Sequence, residues 1–244
     1  MRPALPALVL LVLAAPALAI TGKAPPASGA AARAIVMLTD ADEDLCTATA
    51  LARDVVLTAA HCVNGQRKRS VKLYQTGETI PVRAVARHPR FDMQAYSAAR
   101  ATADLALVKL DKPLPGIVAA VALAPARRLA VGETLTIAGF GVTQAFTPYG
   151  LGIPREARLA VTGHPGSLQI RLVDPATRNA RAGLGACTGD SGAPAFDADG
   201  RLVGVVSWST APNDQDGCGG LTGLTPLLMY KEWVENETAR LARP

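Results

Sequence analysis

The sequence predicts an all-β protein built in two halves and completed by a carboxyl-terminal helix. Short runs rich in β-branched and aliphatic residues recur between Gly, Pro, Asn and Asp residues, a pattern typical of the strands of sandwiches and barrels. Seven such runs stand out, at residues 35–38, 54–57, 70–74, 105–108, 135–138, 168–172 and 202–206. Residues 111–132 contain three prolines and little alternation, which predicts a segment crossing between the halves.

The last segment has a different periodicity. Its apolar positions fit a helical repeat better than strand alternation, and Pro226 precedes them as a signal for a helix start. These positions are Leu228, Tyr230, Trp233, Val234 and Leu241. We therefore expect a helix packed on the β body from residue 227 onward.

Length and charge restrict the class of protein. With 244 residues the chain can bury a full core, as one large domain or two small subdomains. The formal net charge of +5 is modest, and the tight basic clusters at 67–69 and 127–128 carry no interleaved aromatic residues. We interpret both clusters as solvated loops and expect no nucleic-acid partner.

Residues 1–19 have the form of a secretory signal peptide. Arg2 is their only charge, residues 8–13 are an unbroken aliphatic run, and residues 17–19 form a small-x-small cleavage site. The apolar run is too short to cross a bilayer, and no later segment reaches the roughly 20 apolar residues required. We expect a secreted or periplasmic protein without a membrane anchor.

Four cysteines in an exported chain suggest two disulfides, for which three pairings exist. Cys46 and Cys62 are sixteen residues apart and no Cys-x-x-Cys occurs, so the spacing argues against a metal site. The sequence also lacks a phosphate-binding loop, and we expect neither a metal nor a cofactor.

Ser191 lies in a Gly-Asp-Ser-Gly loop at 189–192, downstream of His61 and Asp104. A serine hydroxyl is a poor nucleophile at neutral pH and needs a neighbouring base, and the base needs a third group to fix its tautomer. His61, Asp104 and Ser191 can supply these three roles. Each motif alone also has an ordinary interpretation as a turn, a surface loop or a strand cap, so the prediction depends on their joint occurrence.

In this order and spacing the motifs resemble those of the chymotrypsin/trypsin-type serine proteases. Cys46 and His61 lie 26 and 41 residues after Ile20, which matches the register of trypsin. Three further segments resemble family strands: the aspartate strand at 104–108, the Gly-Trp-Gly strand at 137–141 and the substrate-pairing strand at 206–208. The resemblance covers essentially the whole chain after residue 19.

The resemblance implies two six-stranded antiparallel β-barrels with the active site between them and a C-terminal α-helix. It assigns residues 20–244 to one protease domain, with the first barrel at 20–115, a crossing segment at 116–131, the second barrel at 132–226 and the helix at 227–244. It also selects one disulfide pairing, Cys46 with Cys62 and Cys187 with Cys218.

The chemistry that the resemblance implies is acyl transfer. Ser191 attacks the scissile carbonyl, His61 takes and returns the proton, and Asp104 orients and stabilises the imidazolium. The backbone N–H groups of Gly189 and Ser191 form the oxyanion hole.

Activation follows from the same resemblance. In this family a new Ile or Val amino terminus pairs with the aspartate before the serine, which here is Asp190. The segment 20–22 resembles the family's amino terminus, and Ile20 directly follows the predicted cleavage after Ala19. We therefore expect an Ile20–Asp190 ion pair whose amine is released by signal peptidase, without a separate propeptide.

The resemblance places four residues at the substrate pocket: Gly185 at its base, Ser209 and Thr222 on its walls, and Ser207 on the substrate-pairing strand. Cleavage after Lys or Arg relies on an aspartate at the base, so Gly185 argues against that preference. Ser209 and Thr222 narrow the pocket, which favours cleavage after small or medium uncharged residues. A deep aromatic slot is the alternative.

These observations predict a secreted, monomeric serine endopeptidase that acts on protein or peptide substrates and can meet proteinaceous protease inhibitors. Two alternatives stay open: a secreted non-catalytic binding protein on a protease scaffold, and an esterase that uses the same three residues. The α/β-hydrolase type of esterase is disfavoured by the chain order and by Ala193, which stands where its motif requires glycine.

Overall fold

The computed structural model describes residues 20–243, so the predicted signal peptide lies outside the described residues. Six strands form a first closed barrel in the order β1-β2-β3-β6-β5-β4, in which every neighbouring pair is antiparallel. The strands are β1 Ile35–Asp40, β2 Leu45–Ala52, β3 Val55–Thr58, β4 Arg69–Lys72, β5 Thr79–Arg87 and β6 Ala106–Leu110.

Six later strands form a second closed antiparallel barrel in the order β10-β11-β12-β9-β8-β7. They are β7 Thr134–Gly139, β8 Arg155–Gly163, β9 Ile170–Val173, β10 Pro194–Phe196, β11 Leu202–Ser209 and β12 Leu221–Pro226. The prediction of two six-stranded barrels is thus confirmed. Because each sheet closes on itself, neither barrel has an unpaired edge strand, and edge strands are the usual site of edge-to-edge aggregation.

The connection between the barrels runs from residue 111 to residue 133 and contains no strand. One isolated bridge, between Leu123 and Leu202, attaches it to the second barrel. Two short helices that the sequence pattern did not indicate, α1 Gly29–Ala34 and α2 Met93–Ser97, lie before β1 and before β6. Among the helices of residues 20–243, none combines the length and apolarity needed to cross a membrane.

Several strands are buried on both faces, which explains their nearly continuous apolar sequences. In β1, Val36 and Leu38 point into the first barrel, whereas Ile35 and Met37 pack against Phe140 of the second barrel. Because successive side chains of a strand alternate between its faces, one strand contributes both to its own core and to the packing between barrels.

The C-terminal helix α3, Lys231–Leu241, is confirmed but begins later than residue 227. Residues Leu227–Met229 form a 3₁₀ turn, and Tyr230 leaves helical geometry at φ −126° and ψ 0° before α3 starts. Tyr230, Val234 and Leu241 are buried against a cluster shared by both barrels, while Leu228 is exposed. The helix therefore covers the junction of the two barrels.

His88 connects the first barrel to this helix. It follows β5 directly and is buried between Tyr230 and Trp233, whose rings meet the imidazole edge-on at centroid distances of 4.9 and 4.8 Å. Its Nδ1 accepts a hydrogen bond from the Arg90 N–H at 3.1 Å. Burial, and then the nearby Arg90 charge, lower the pKa of His88 below its ordinary value.

We expect His88 to make the fold less stable in acid. Its folded-state pKa is depressed, so its contribution is complete above the unfolded-state pKa of 6.5 and is lost as pH falls through the folded-state value. Urea unfolding at about pH 7.5 and about pH 5 should show a larger loss of unfolding free energy for wild type than for His88→Gln. Equal losses in both proteins would contradict this role for His88.

Candidate active site

Antiparallel pairing of β3 with β6 brings His61 and Asp104 together. Thr58 at the end of β3 pairs with Ala106 at the start of β6. His61 begins the 3₁₀ turn that follows β3, and Asp104 lies two residues before β6. The two residues are 43 positions apart in sequence, yet the ladder places them side by side at one end of the first barrel.

The Asp104 carboxylate is almost fully buried and accepts three hydrogen bonds. Its Oδ1 accepts the His61 backbone N–H at 2.9 Å, and its Oδ2 accepts His61 Nδ1 at 2.7 Å and the Ser207 hydroxyl at 2.6 Å. Because a carboxylate only accepts, Nδ1 carries the hydrogen and Nε2 is left as the basic nitrogen. This arrangement orients the imidazole and can stabilise its protonated form.

The Ser191 loop lies where the two barrels meet. The Ser191 carbonyl accepts from the Thr47 N–H of β2, and the Gly192 N–H donates to the Val206 carbonyl of β11, both at 2.8 Å. A side chain at Gly192 would collide with Thr58 of β3, so glycine is needed for this close approach. Within residues 20–243 the Ser191 hydroxyl makes no hydrogen bond, and the one group within hydrogen-bond range of His61 Nε2 is Cys62 Sγ at 3.7 Å.

The backbone around Ser191 has a nearly complete set of hydrogen bonds. The carbonyls of residues 188–191 all accept, and the N–H groups of Asp190 and Gly192 donate to the carbonyls of Cys187 and Val206. In the described part of the chain, the N–H groups of Gly189 and Ser191 have no acceptor. The Thr188 carbonyl accepts from the Val142 N–H, so the Gly189 N–H of the same planar peptide points the opposite way. Two free donors on one loop can bind a negative oxygen.

The Asp190 carboxylate supports this loop from the protein interior. It is fully buried and accepts the N–H groups of Gly141 at 2.8 Å and Cys187 at 2.9 Å. A side chain at Gly139 or Gly141 would collide with it, which explains both glycines. Burial raises the pKa of Asp190 to about 7, against the opposing effect of the two N–H donors.

Ile20 is completely buried in the core of the second barrel, whose cluster also contains Ala193. The next residue, Thr21, donates its N–H to the Gly185 carbonyl at 3.2 Å. Because the chain continues before Ile20, the Ile20 nitrogen is an uncharged amide, and the ion pair with Asp190 stays a prediction for the cleaved form. Ile20 has φ of 51°, a left-handed backbone conformation that is strained for a β-branched residue.

A cleft of about 420 Å³ lies beside Ser191. Ser207, Trp208 and Ser209 of β11 form one wall, and residues 186–189 form another. Gly185 and Thr222 are buried behind this second wall, where Thr222 Oγ1 accepts the Ala186 N–H at 3.0 Å. Of the four residues predicted at the pocket, two therefore line the cleft and two lie behind its lining.

Tyr96, which the sequence interpretation did not single out, covers one face of His61. The two rings stack with centroids 4.3 Å apart and planes 15° apart, and the Tyr96 hydroxyl donates to the Ser207 carbonyl at 3.3 Å. Burial, and then the Asp104 charge, raise the pKa of Tyr96 above its ordinary value, so the hydroxyl keeps its hydrogen. No sequence signal marks this residue, because α2 lies in an irregular connection.

Two disulfides flank the site. Cys46 is bonded to Cys62 and Cys187 to Cys218, the pairing that the resemblance implied. The sulfurs of Cys46 and Cys62 lie within 4.8 Å of a His61 nitrogen. Because these sulfurs are joined to each other, they offer no thiolate to a metal ion.

Comparison with known proteins agrees with this architecture. The profile of the trypsin family matches residues 20–234. The chain is 29% identical over 222 residues to snake venom serine proteinase 4a of Crotalus adamanteus, covering 83% of this chain and 81% of that protein. It is 27% identical over 219 residues to kallikrein 1-related peptidase b22 of Mus musculus, with 82% of each covered.

Among solved structures, human heparin binding protein has a TM-score of 0.70 and 21% identity, covering 88% of this chain and 95% of that one. At this identity the likeness shows the fold. The family profile spans both barrels and all three predicted catalytic residues. The chain therefore belongs to the trypsin family of chymotrypsin-like serine proteases.

Proposed function

We propose that this protein is a serine endopeptidase with His61, Asp104 and Ser191 as its catalytic triad. The proposal rests on three features around one cleft. The His61 imidazole is oriented by a buried carboxylate and stacks on Tyr96, which lines the cleft. Ser191 lines the same cleft, and within residues 20–243 its hydroxyl makes no hydrogen bond and two N–H groups of its loop have no acceptor. Family membership alone does not fix activity, since one fold serves several functions.

The reaction follows from these placements. The Ser191 oxygen attacks the substrate carbonyl while His61 Nε2 accepts its proton, and the Gly189 and Ser191 N–H groups bind the resulting oxyanion. His61 then gives the proton to the leaving amine. A water molecule attacks the acyl carbonyl while the same nitrogen takes its proton, and that proton passes to the Ser191 oxygen as the acyl group leaves as a carboxylic acid. The contact between Ser191 and His61 closes when substrate binds, as catalytic hydrogen bonds often do.

Export is part of the proposal. Two disulfides persist in an oxidising compartment, and residues 1–19 have the composition of a signal peptide. Protein substrates are the class on which trypsin-like proteases act. The esterase alternative uses the same residues, and the non-catalytic alternative gains support from the similarity to heparin binding protein, whose name gives a binding function.

We infer that cleavage follows small or medium uncharged residues. The four residues assigned to the pocket, Gly185, Thr222, Ser207 and Ser209, are all neutral and cannot compensate a buried Lys or Arg. The carboxylate of Asp44 also lines the cleft, but it is exposed to solvent. A Cβ at Gly185 would lie 3.4 Å from atoms of Gly219 and Thr222, the short end of ordinary contact, so a side chain can begin at this position without a clash at Cβ.

We also propose that cleavage after Ala19 activates the enzyme. The strained backbone of Ile20 is relieved when its N–H becomes a free amine, because φ is then no longer imposed by a preceding residue. A cation at this buried amine would offset the unfavourable burial of the Asp190 charge. The pair would hold Asp190 ionised and the serine loop in place.

The first prediction concerns Ser191. Wild type should be labelled by a fluorophosphonate probe, and Ser191→Ala should lose both the label and, on the order of 10⁶-fold, the kcat for peptide cleavage. Ser167→Ala, an exposed serine of the second barrel, serves as the control and should label like wild type. An unlabelled, inactive wild type of intact fold would favour the non-catalytic alternative; labelling with cleavage of esters but not peptides would favour the esterase.

The second prediction concerns the charge of Asp190 before and after cleavage, tested in Ser191→Ala to prevent autolysis. In a form extended before Ile20, the folded-state pKa of Asp190 is raised from 3.8 to about 7, so the folded state keeps a proton that the unfolded state releases. Unfolding free energy should then fall as pH rises from about 4 to about 7, by at most about 4 kcal/mol.

A form beginning at Ile20 should lose less stability over that interval, because its amine favours ionised Asp190. The matched control adds Asp190→Asn to the extended form and so removes the titrating carboxyl. Both proteins keep His88, so its opposite contribution cancels when the two pH profiles are subtracted. Identical pH profiles for the extended form and the Ile20 form would contradict the proposed pair.

The third prediction concerns the pocket. Gly185→Asp should raise kcat/KM for peptide substrates with Arg or Lys before the scissile bond, relative to matched Ala and Val substrates, because the new carboxylate compensates a buried cation. Gly185→Asn, of nearly equal size but neutral, is the control for space alone. A failure of Gly185→Asp to gain on basic substrates would exclude Gly185 as the base of the pocket.

A further inference from the structure

Thr47 contacts the serine loop from the opposite side to Asp190. It is completely buried on β2 of the first barrel. Its N–H donates to the Ser191 carbonyl at 2.8 Å, and its hydroxyl donates to the Gly189 carbonyl at 3.0 Å. The same hydroxyl oxygen accepts the Phe140 N–H at 3.1 Å. Thr47 thus joins β2 to the serine loop and to the residue that follows β7.

We propose that the Thr47 hydroxyl is a positioning residue for the oxyanion hole. The inference rests on the proposed function and adds a residue that does not touch the reacting atoms. The Thr47 hydroxyl binds the Gly189 carbonyl, and the Thr47 N–H binds the Ser191 carbonyl. Thr47 therefore holds the peptide groups on both sides of the one that carries the Ser191 N–H.

Peptide planarity is the physical link. Each peptide group is rigid, so fixing its carbonyl also fixes its N–H. The Gly189–Asp190 peptide has its carbonyl held by Thr47 and its N–H held by the Cys187 carbonyl at 2.9 Å. The two donors of the proposed hole lie in the peptides immediately before and after this one. Releasing the Gly189 carbonyl leaves this central peptide held only by its N–H. The two donor peptides, whose carbonyls accept from the Val142 and Ala193 N–H groups, then lose part of the support between them.

The Thr47 hydroxyl has little freedom to make other bonds. A hydroxyl has one hydrogen, and because the Phe140 N–H already points at the oxygen, the hydrogen is committed to the Gly189 carbonyl. Phe140 precedes Gly141, whose N–H binds the Asp190 carboxylate. The loop is consequently held between Thr47 on one side and Asp190 on the other, through adjacent residues of one connection.

Thr47→Val tests the hydroxyl with nearly unchanged volume. We expect kcat to fall about tenfold with KM within about twofold of wild type, less than the roughly 10²–10³-fold lost when a direct oxyanion donor is removed. A peptide trifluoromethyl ketone, whose carbonyl becomes an oxyanion when Ser191 adds to it, should bind more weakly by the same factor as kcat. Thr47→Ser restores the donor and should recover most of both losses.

Thr49→Val is the matched control. Thr49 lies two residues along the same strand and is equally buried, but its hydroxyl has no hydrogen-bond partner. Its replacement should leave kcat and inhibitor affinity within about twofold of wild type, because no bond is lost. Rates are expressed per folded molecule, and Thr47→Ala, which removes the hydroxyl without crowding, is measured alongside Thr47→Val.

Three results would overturn the proposal: wild-type kcat in a folded Thr47→Val or Thr47→Ala protein, a loss confined to KM, or an equal loss in Thr49→Val. Failure of both Thr47 variants to fold while Thr47→Ser is fully active would also overturn it, by assigning the hydroxyl to folding. A wild type that neither cleaves peptides nor labels at Ser191 would instead refute the proposed function.

Discussion

The buried carboxylate of Asp104 is the constraint on which the site depends. A charge removed from water is strongly destabilising unless hydrogen bonds replace its hydration. Here the donors come from both barrels, two from His61 beside β3 and one from Ser207 on β11. The hydrogen bonds to this carboxylate therefore fix the tautomer and the direction of the imidazole, and they also fix the distance between the barrels at the cleft. The hydrogen bonds that a buried carboxylate needs are therefore the same bonds that set the geometry of the proposed catalytic site.

The barrels can be held at that distance because their walls are buried on both faces. Strands such as β1 give alternate side chains to their own barrel and to the neighbouring one, and α3 covers the remaining junction with Tyr230 and Val234. Dense packing of this kind resists small displacements, since core side chains have no space to move into. A cleft between two such bodies keeps its shape without a large loop to define it.

The sequence predicted the features that depend on local pattern and on motif. Strands made mostly of aliphatic and β-branched residues, such as β1, β3 and β11, were visible as apolar runs, and short glycine-flanked motifs marked the residues near the cleft. Strands with other compositions were not visible. In β5, Pro81 and two arginines obscure any alternation, and the strand forms because β4 and β6 need a partner to close the barrel. In β12, Gly223 is required because Trp208 occupies the place of its side chain.

Thr47 and Tyr96 show where sequence reasoning reaches its limit. Both are ordinary residue types in positions without a motif, and each hydroxyl donates to the backbone carbonyl of a residue more than 100 positions away. A carbonyl is present at every residue, so nothing in a sequence records which one a hydroxyl will meet. A pair of side chains such as His61 and Asp104 leaves a signature in the sequence because the proposed reaction restricts both residue types. Side chain to backbone contacts restrict only one partner, and only the folded chain reveals them.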